Sequence, residues 1–545
     1  MNKPIIYQLF PRLFGNYNET RKHNGTKEEN GCGRFIDINE RALQSIKDLG
    51  ATHVWYTGVI RHATAEYNHP AITKGMAGSP YAITDYYDVD PDLAKNEEKR
   101  MQEFEDLVKR THKAGLDVLI DFVPNHVSRE YKSACKPAGV EDLGEKDHPE
   151  WAFSPLNNFY YLPGERFTMD KDLQGYEEYP AKVTGNDCFT SHPNEGDWYE
   201  TVKLNYGVFY QGGREKQFDP IPNTWIKMRD ILLFWAAKGV DGVRVDMAEM
   251  VPVEFFAWAI KQVKKQHKKF LFIGECYNPK LYDAYLEAGF DYLYDKVGMY
   301  DYLRGVTSKS WPAEGITAQW MQHGARLNHM LYFLENHDEQ RIASGFFCGS
   351  GRCAEPAMIV VATLNQCPVM IYSGQELGER GMDMEGFSGI DGRTTIFDYW
   401  GIKSVQAWAN KGKFDGANLN DAQRELRGFY RQLLTLARDD KAIQKGRMYD
   451  ITYAQNEEFD KNKQFAFIRH IKGETLLVVV NFHDREQQLH VRIPNDAFVY
   501  LGMDEKPKAT ATDLLRGEKM PIAFTPDSAM ELTLPAWKGV ILRIK

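Results

Sequence analysis

The sequence predicts an α/β fold: a (β/α)8 TIM barrel with an inserted subdomain after strand 3 and a C-terminal antiparallel β-sandwich. Three observations lead there. An amphipathic helix ending in Gly runs into a β-branched apolar strand at least three times. Eight such strands can be counted between residues 5 and 374. Beyond about residue 440 the pattern changes to short alternating strands separated by turn residues.

The helix-to-strand units come first. NERALQSIKDLG leads into ATHVWYTG, EEKRMQEFEDLVKRTHKAG into LDVLIDFVPNH, and TWIKMRDILLFWAAKG into VDGVRVD. In the second of these helices Met101, Phe104, Leu107, Val108 and Thr111 recur at spacings of three and four, a stripe that faces a core. Gly50, Gly115 and Gly239 stand where a left-handed residue would end each helix. The strands are expected at 5–10, 52–57, 118–123, 242–246, 271–275, 290–295, 331–335 and 368–374. Their runs are continuously apolar rather than alternating, which means burial on both faces and a parallel sheet. Eight strands favour closure, and no Gly-rich dinucleotide fingerprint follows the first, which removes the main reason for a doubly wound sheet.

The domain division follows. Residues 1–126 and 223–440 form the barrel. Residues 127–222, rich in Pro, Gly, Asn and Tyr but poor in helical periodicity, form the inserted subdomain, and residues 441–545 form the sandwich. The last segment contains FAFIRHI, TLLVVVNF, QLHVRIP, MELTLPAW and GVILRI.

Composition excludes several classes. At 43% hydrophobic and 26% charged residues the chain is neither disordered nor membrane-embedded, and its longest apolar runs, such as MIVVATL at 358–364, fall short of a bilayer span. A net charge of −9 with scattered Lys and Arg leaves no footprint for a phosphate backbone, so nucleic acid is not an expected partner. MNKPIIYQLFPRLF reads as a first strand rather than a signal peptide, so a cytoplasmic location is expected. Seven cysteines at irregular spacing suit free, mostly buried thiols in a reducing compartment. Cys348 and Cys353 have no nearby His or second Cys pair to complete a tetrahedral metal site. Aromatic residues cluster in polar stretches at 157–167 and 196–211, where flat faces could meet sugar rings or simply pack.

In barrels of this kind chemistry sits at the C-terminal strand ends. The third strand ends with Asp121, Asn125 and His126; the fourth carries Arg244 and Asp246, two apart and on one face; the fifth ends at Glu275; the seventh runs out through His337, Asp338 and Arg341. Three acids on separate strands thus converge on one mouth. Retaining glycoside hydrolysis needs two carboxyl groups about 5 to 5.5 Å apart across the scissile bond, one ionised and one protonated. Arg244 would hold Asp246 ionised, while crowding and burial would raise the pKa of Glu275 and suit it to a general acid. Asp338 remains to bind ring hydroxyls.

DFVPNH, GVRVD, GEC and ENHD, in this order on strands three, four, five and seven, resemble the four motifs of the α-amylase family, glycoside hydrolase family 13. The resemblance implies that Asp246 is the nucleophile, Glu275 the acid/base and Asp338 the residue that helps distort the sugar. It also implies that His126 and His337 bind hydroxyls, that Arg244 positions the nucleophile, and that Tyr81 stacks on a sugar ring. No cofactor is required for the chemistry, but the family's structural Ca2+ would take Asn125 as a ligand; a plain hydrogen-bond role for Asn125 at the rim is the alternative. Plain α-amylases follow the nucleophile with a Lys-His pair, whereas this chain has Glu249 and Met250. That departure affects both the calcium site and the leaving-group side. TVKLNYG at 201–207 is similar to a short motif of the neopullulanase, cyclomaltodextrinase and maltogenic amylase branch.

The expected function is retaining hydrolysis of α-1,4 bonds in maltooligosaccharides or starch-type α-glucans. The alternative is α-glucan transglycosylation, or cyclomaltodextrinase- or neopullulanase-like cleavage. Two rivals lie further off. A Mg2+-dependent barrel enzyme would use the same three acids as ligands, but Arg244 would compete with the cation. A non-catalytic sugar-binding barrel would lack the acids that are present here.

Overall fold

The structure, a computed structural model, describes residues 3–545. Strands β1 (Ile5–Leu9), β2 (His53–Tyr56), β3 (Asp117–Phe122), β4 (Gly242–Val245), β5 (Leu271–Gly274), β6 (Tyr292–Tyr294), β7 (Met330–Phe333) and β8 (Val369–Tyr372) form a closed parallel barrel in sequential order. Ile5 opposite Val369 makes the closing pair. Each expected strand is present, trimmed by one to two residues at most ends, so the polar residues that follow the apolar runs stand on the rim.

The helices obey their local signals. Helix α1 (Glu40–Asp48) begins at Asn39, whose side chain accepts from the N–H groups of Arg41 and Ala42, satisfying donors that the first turn leaves free. In α2 (Arg100–Lys113) the buried residues are Phe104, Leu107, Val108 and Thr111, with Met101 at the edge of the stripe. After α1, α2 and α3 (Asn223–Ala237), Gly50, Gly115 and Gly239 have φ of 112°, 74° and 91°, where any side chain would be strained. Helix α4 (Val253–Gln266) follows β4. Helix α5 (Glu355–Thr363) differs from all of these, since every one of its nine residues is buried.

Between β3 and α3 the chain makes only short paired segments: His126–Ser128 with Thr201–Lys203, Tyr161–Leu162 with Ala181–Lys182, and Val208–Phe209 with Glu215–Lys216. They enclose a small core of their own around Tyr160, Leu162, Phe167, Ala181 and Val183. Arg129 ties this region together, pairing with Glu178 at 2.7 Å and lying 3.9 Å from the Phe167 ring.

The C-terminal strands are β9 (Arg447–Asp450), β10 (Gln464–Ile471), β11 (Glu474–Asn481), β12 (Gln487–Arg492), β13 (Lys506–Asp513), β14 (Lys519–Phe524), β15 (Ala529–Leu534) and β16 (Lys538–Ile544). They form a six-stranded antiparallel sheet, ordered β9-β10-β11-β16-β13-β14, and a β12-β15 pair, around a second core. Helix α5 packs against β11 and β16 from the barrel side. Glu355 at its start receives Lys538 at 2.6 Å, and Arg469 donates to the Leu364 carbonyl just past its end at 3.0 Å.

One cysteine expectation is corrected. Cys348 and Cys353 are joined as a disulfide, brought together by the turn through Gly349, whose φ is +77°. Of the remaining cysteines only Cys276 and Cys367 are buried, while Cys135 is exposed. Among the described residues no helix is long and apolar enough to cross a membrane.

Candidate active site

The rim of the barrel is organised around Arg244. Its position on β4, two residues before Asp246, points both side chains inward, and its guanidinium is almost wholly enclosed at 1% exposure. Nη1 donates to Asp246 Oδ1 at 2.7 Å and lies 3.4 Å from Asp121 Oδ1; Nη2 sits 2.7 Å from Glu275 Oε1, as an ion pair rather than an aligned hydrogen bond. The rings of Trp55, Tyr81 and Tyr294 surround it at 5.5, 5.5 and 5.7 Å. One guanidinium therefore touches both acids of the expected catalytic pair.

A second link fixes the pair. Met247, directly after Asp246, is left-handed with φ +42°, which turns its N–H toward β5. That N–H donates to Glu275 Oε2 at 2.8 Å, and the Tyr277 hydroxyl donates to Glu275 Oε1 at 2.6 Å. Beyond β7, Asn336 Oδ1 accepts from the N–H groups of Asp338 and Glu339 and shapes the turn that presents Asp338. His337 lies behind this wall: Gln8 Nε2 meets its Nδ1 at 2.8 Å, while Tyr81 and Asp338 flank its Nε2.

These residues line a cavity of about 260 Å3. Tyr81, His126, Asp246, Glu275 and Asp338 face it, with Lys74, Trp198, Glu200, Thr201, Tyr277, Phe387 and Phe397. Of the residues expected from sequence, Arg244 and His337 stand one layer behind the surface. Arg341 turns away altogether, fully buried against Glu335 at 2.9 Å and over the Tyr372 ring at 3.9 Å. Sequence reasoning missed Tyr277, although FIGECY places it two residues beyond Glu275. It also missed Trp198, whose ring stands 5.1 Å from that of His126; the only signal was the aromatic cluster around it.

Burial governs the electrostatics. Removal from water pushes the Asp246 carboxyl well above the ordinary aspartate range, and the charge of Glu275 adds to this while Arg244 opposes it. The expected charge pairing of Arg244 with Asp246 is present, but the same guanidinium is shared with Asp121 and Glu275, and burial outweighs its pull on Asp246. Asp338 is pushed up to about 7 by burial and then by Glu275, and Asp121 to about 6 by burial against the pull of Arg244. Burial drives His126 down to about 3, with Lys203 and Lys74 helping, and His337 well below its usual value with Arg244 helping. Both imidazoles are neutral near pH 7 and act as hydrogen-bonding groups rather than charges.

The oxygens that would hold a structural cation are already engaged. Asn125 Oδ1 accepts from Lys203 Nζ at 2.6 Å, and the same ammonium lies 2.6 Å from Asp187 Oδ1 and 3.5 Å from the Met250 carbonyl. A divalent cation at these oxygens would face a fixed positive charge, so the residues present do not fit Ca2+ there.

The family model described as alpha amylase, catalytic domain, matches residues 8–428. The chain belongs to the α-amylase family. As an α-amylase family glycosidase it has relatives along almost its whole length. Neopullulanase 2 of Thermoactinomyces vulgaris is 21% identical over 99% of this chain and 77% of that protein. Trehalose-6-phosphate hydrolase of Bacillus subtilis is 24% identical over 99% of this chain and 98% of its own. Among solved α-amylase structures, that of H. orenii superposes with a TM-score of 0.66 at 19% identity, covering all of both chains. The maltogenic α-amylase AmyB of Thermotoga neapolitana superposes at 0.64 and 20% identity, over 99% of this chain and 98% of that one. Such identities establish the common fold, a barrel followed by a C-terminal antiparallel domain.

Proposed function

We propose that this α-amylase family enzyme hydrolyses α-1,4-glucosidic bonds of maltooligosaccharides or starch-type glucans with retention. In this reading Asp246 attacks the anomeric carbon, Glu275 donates a proton to the departing oxygen and then takes one from water, and Asp338 binds ring hydroxyls. The observation that carries the reading is the single guanidinium of Arg244 in contact with both Asp246 and Glu275. Retention is part of the proposal: direct attack by one carboxylate needs the two carboxyl groups about 5 to 5.5 Å apart, whereas inversion needs about 6.5 to 9.5 Å to seat a water. Tyr81 supplies a ring face and His126 a neutral polar contact beside the sugar, while His337, one layer back, holds Tyr81 and Asp338 in place.

The proton has a route. Tyr277 and the Met247 N–H fix the orientation of Glu275, so the face that receives and returns the proton is held constant between the two steps. Asp246 must lose its proton to attack, and Arg244 supplies the charge that favours this against the cost of burial.

A second reading, cleavage of pullulan or cyclodextrin in the neopullulanase manner, rests on the wall that the inserted segment builds. Trp198, Glu200 and Thr201, just before Lys203-Leu204-Asn205, face the cavity and set what fits beside the bond. Incubation with maltoheptaose, pullulan, cyclodextrin and sucrose, with products resolved over time, separates the readings. Faster cleavage of pullulan or cyclodextrin than of maltoheptaose would assign the second, dominant transfer to sugar acceptors would assign transglycosylation, and no cleavage of any α-glucan would refute both.

The roles have their own test. Asp246→Asn and Glu275→Gln should each lower kcat by several orders of magnitude with unchanged circular dichroism. Azide should restore turnover to a Glu275 variant on activated substrates if Glu275 is the acid/base. A fully active Asp246→Asn enzyme would mean that the nucleophile lies elsewhere.

A further inference from the structure

Lys203 is 2% exposed and carries its ammonium into the rim of the barrel. Three segments meet on it. Asn125 follows β3, Asp187 comes from the inserted segment, and Met250 lies four residues past Asp246; their oxygens stand at 2.6, 2.6 and 3.5 Å from Nζ. The Tyr210 ring covers the charge at 5.3 Å. An amide oxygen, a carboxylate and a main-chain carbonyl converging from separate segments are the donor set of a bound cation.

The ammonium also dictates what lies beyond it. It has three donors and no acceptor, so Asn125 must turn its oxygen toward Lys203 and its nitrogen away. Asn125 Nδ2 then donates to the Gly185 carbonyl at 2.8 Å and faces His126 Nδ1 at 3.1 Å. An N–H aimed at Nδ1 requires that nitrogen to accept, which leaves the single proton of a neutral imidazole on Nε2. His126 Nε2 has no partner among the described residues, and the ring lines the cavity.

We propose that Lys203 serves as a built-in monovalent cation: it replaces a metal ion in clamping the inserted segment to the ends of β3 and β4, and through Asn125 it fixes His126 as the Nε2–H tautomer, a hydrogen-bond donor to substrate. Lys203 is thus a positioning residue. The second half of the proposal rests on the cavity being the sugar site; the first half does not.

The tests read metal, tautomer and stability separately from sugar cleavage. For the first half, the purified enzyme should show the same Tm in EDTA and in millimolar Ca2+, with no stoichiometric heat of Ca2+ binding. A tightly held Ca2+ whose removal lowers Tm would overturn the clamp. For the second half, 15N spectra of the histidine-labelled enzyme, with His126→Gln used for assignment, should show His126 protonated at Nε2 and bare at Nδ1 near pH 7. A proton on Nδ1 would overturn the positioning role. Lys203→Met should lower Tm by roughly 5 °C or more, since it strands a carboxylate and an amide oxygen. The same variant should lose the single-tautomer signature and reduce kcat/KM at least tenfold. A variant that keeps its Tm refutes the clamp, and one that keeps the tautomer and kcat/KM refutes the positioning. Should Lys203→Met fail to fold, the calcium and tautomer measurements on the unaltered enzyme still decide both halves. Failure of α-glucan cleavage in the unaltered enzyme would strike the proposed function and leave the metal and tautomer results standing.

Discussion

Acids gathered around one guanidinium make the cavity resist ionisation, and Asp338 exposes this as a pH effect. An aspartate normally near 3.8 that titrates at about 7 in the folded protein holds a proton that the unfolded chain has already released between those values. Stability contributed by this group therefore falls as pH rises from about 4 to 7 and returns on acidification. With its side chain 37% exposed toward the cavity mouth, Asp338 produces a tempered effect. Asp338→Asn should raise Tm at pH 7.5 by a few degrees, with the difference shrinking at pH 5, while kcat falls at least a hundredfold. Thermal unfolding at the two pH values checks this, and a variant no more stable than the parent at pH 7.5 would contradict it. At this scale the sequence disclosed acids by their place after apolar strands, which is a local property. It did not disclose that Arg244 reaches Glu275 as well as Asp246, that Tyr277 binds Glu275, or that Lys203 meets Asn125. The first and last of these join positions 31 and 78 residues apart, and the second depends on how the chain turns just past β5; no periodicity reports them.

The elements were legible where burial is one-sided or complete. The eight barrel strands and helices α1 to α3 were each marked by an apolar run, a stripe or a terminating glycine. The strands β9, β13 and β14 escaped because they carry little of that signal; β13, for example, reads KPKATATD, with only Ala509, Ala511 and Asp513 buried. The inserted segment escaped for the opposite reason: its two- and three-residue strands are too short to show alternation, and side chains such as Arg129 hold it together. Loops of this kind carry the site, and one glycine shows how tightly. At Gly78, φ +68°, a Cβ would stand 1.5 Å from the Ala63 carbonyl oxygen. Gly78→Ala must displace the loop that holds Tyr81, and should cost at least about 2 kcal/mol in chemical denaturation. It should also raise KM more than it lowers kcat, because the ring that Tyr81 offers is shifted while Asp246 and Glu275 stay on their strands.

On the scale of the whole molecule, barrel and C-terminal sheets share a wall. Helix α5 is buried on the barrel side and again by β11 and β16, and Glu355, only 4% exposed, depends on Lys538 for its charge partner. Lys538→Met should cost about 2 kcal/mol and lower the midpoint of one cooperative unfolding transition, not of a separate C-terminal one. Two transitions in calorimetry, with only one shifted, would show that the two cores melt independently. A chain stopped after Gly446 would expose the apolar back of α5 and should be recovered chiefly as aggregate. That shared wall also sets a timetable. A ribosome that has just finished Tyr372 has made every strand of the barrel, including Val369, the partner of Ile5, yet the strands that cover α5 begin at Glu474 and end at Ile544. At about 5 to 20 residues per second, the interval leaves the largely apolar α5 without its covering strands for roughly 10 to 35 seconds of every synthesis. The nascent chain, more than the finished enzyme, is the form that calls for a chaperone.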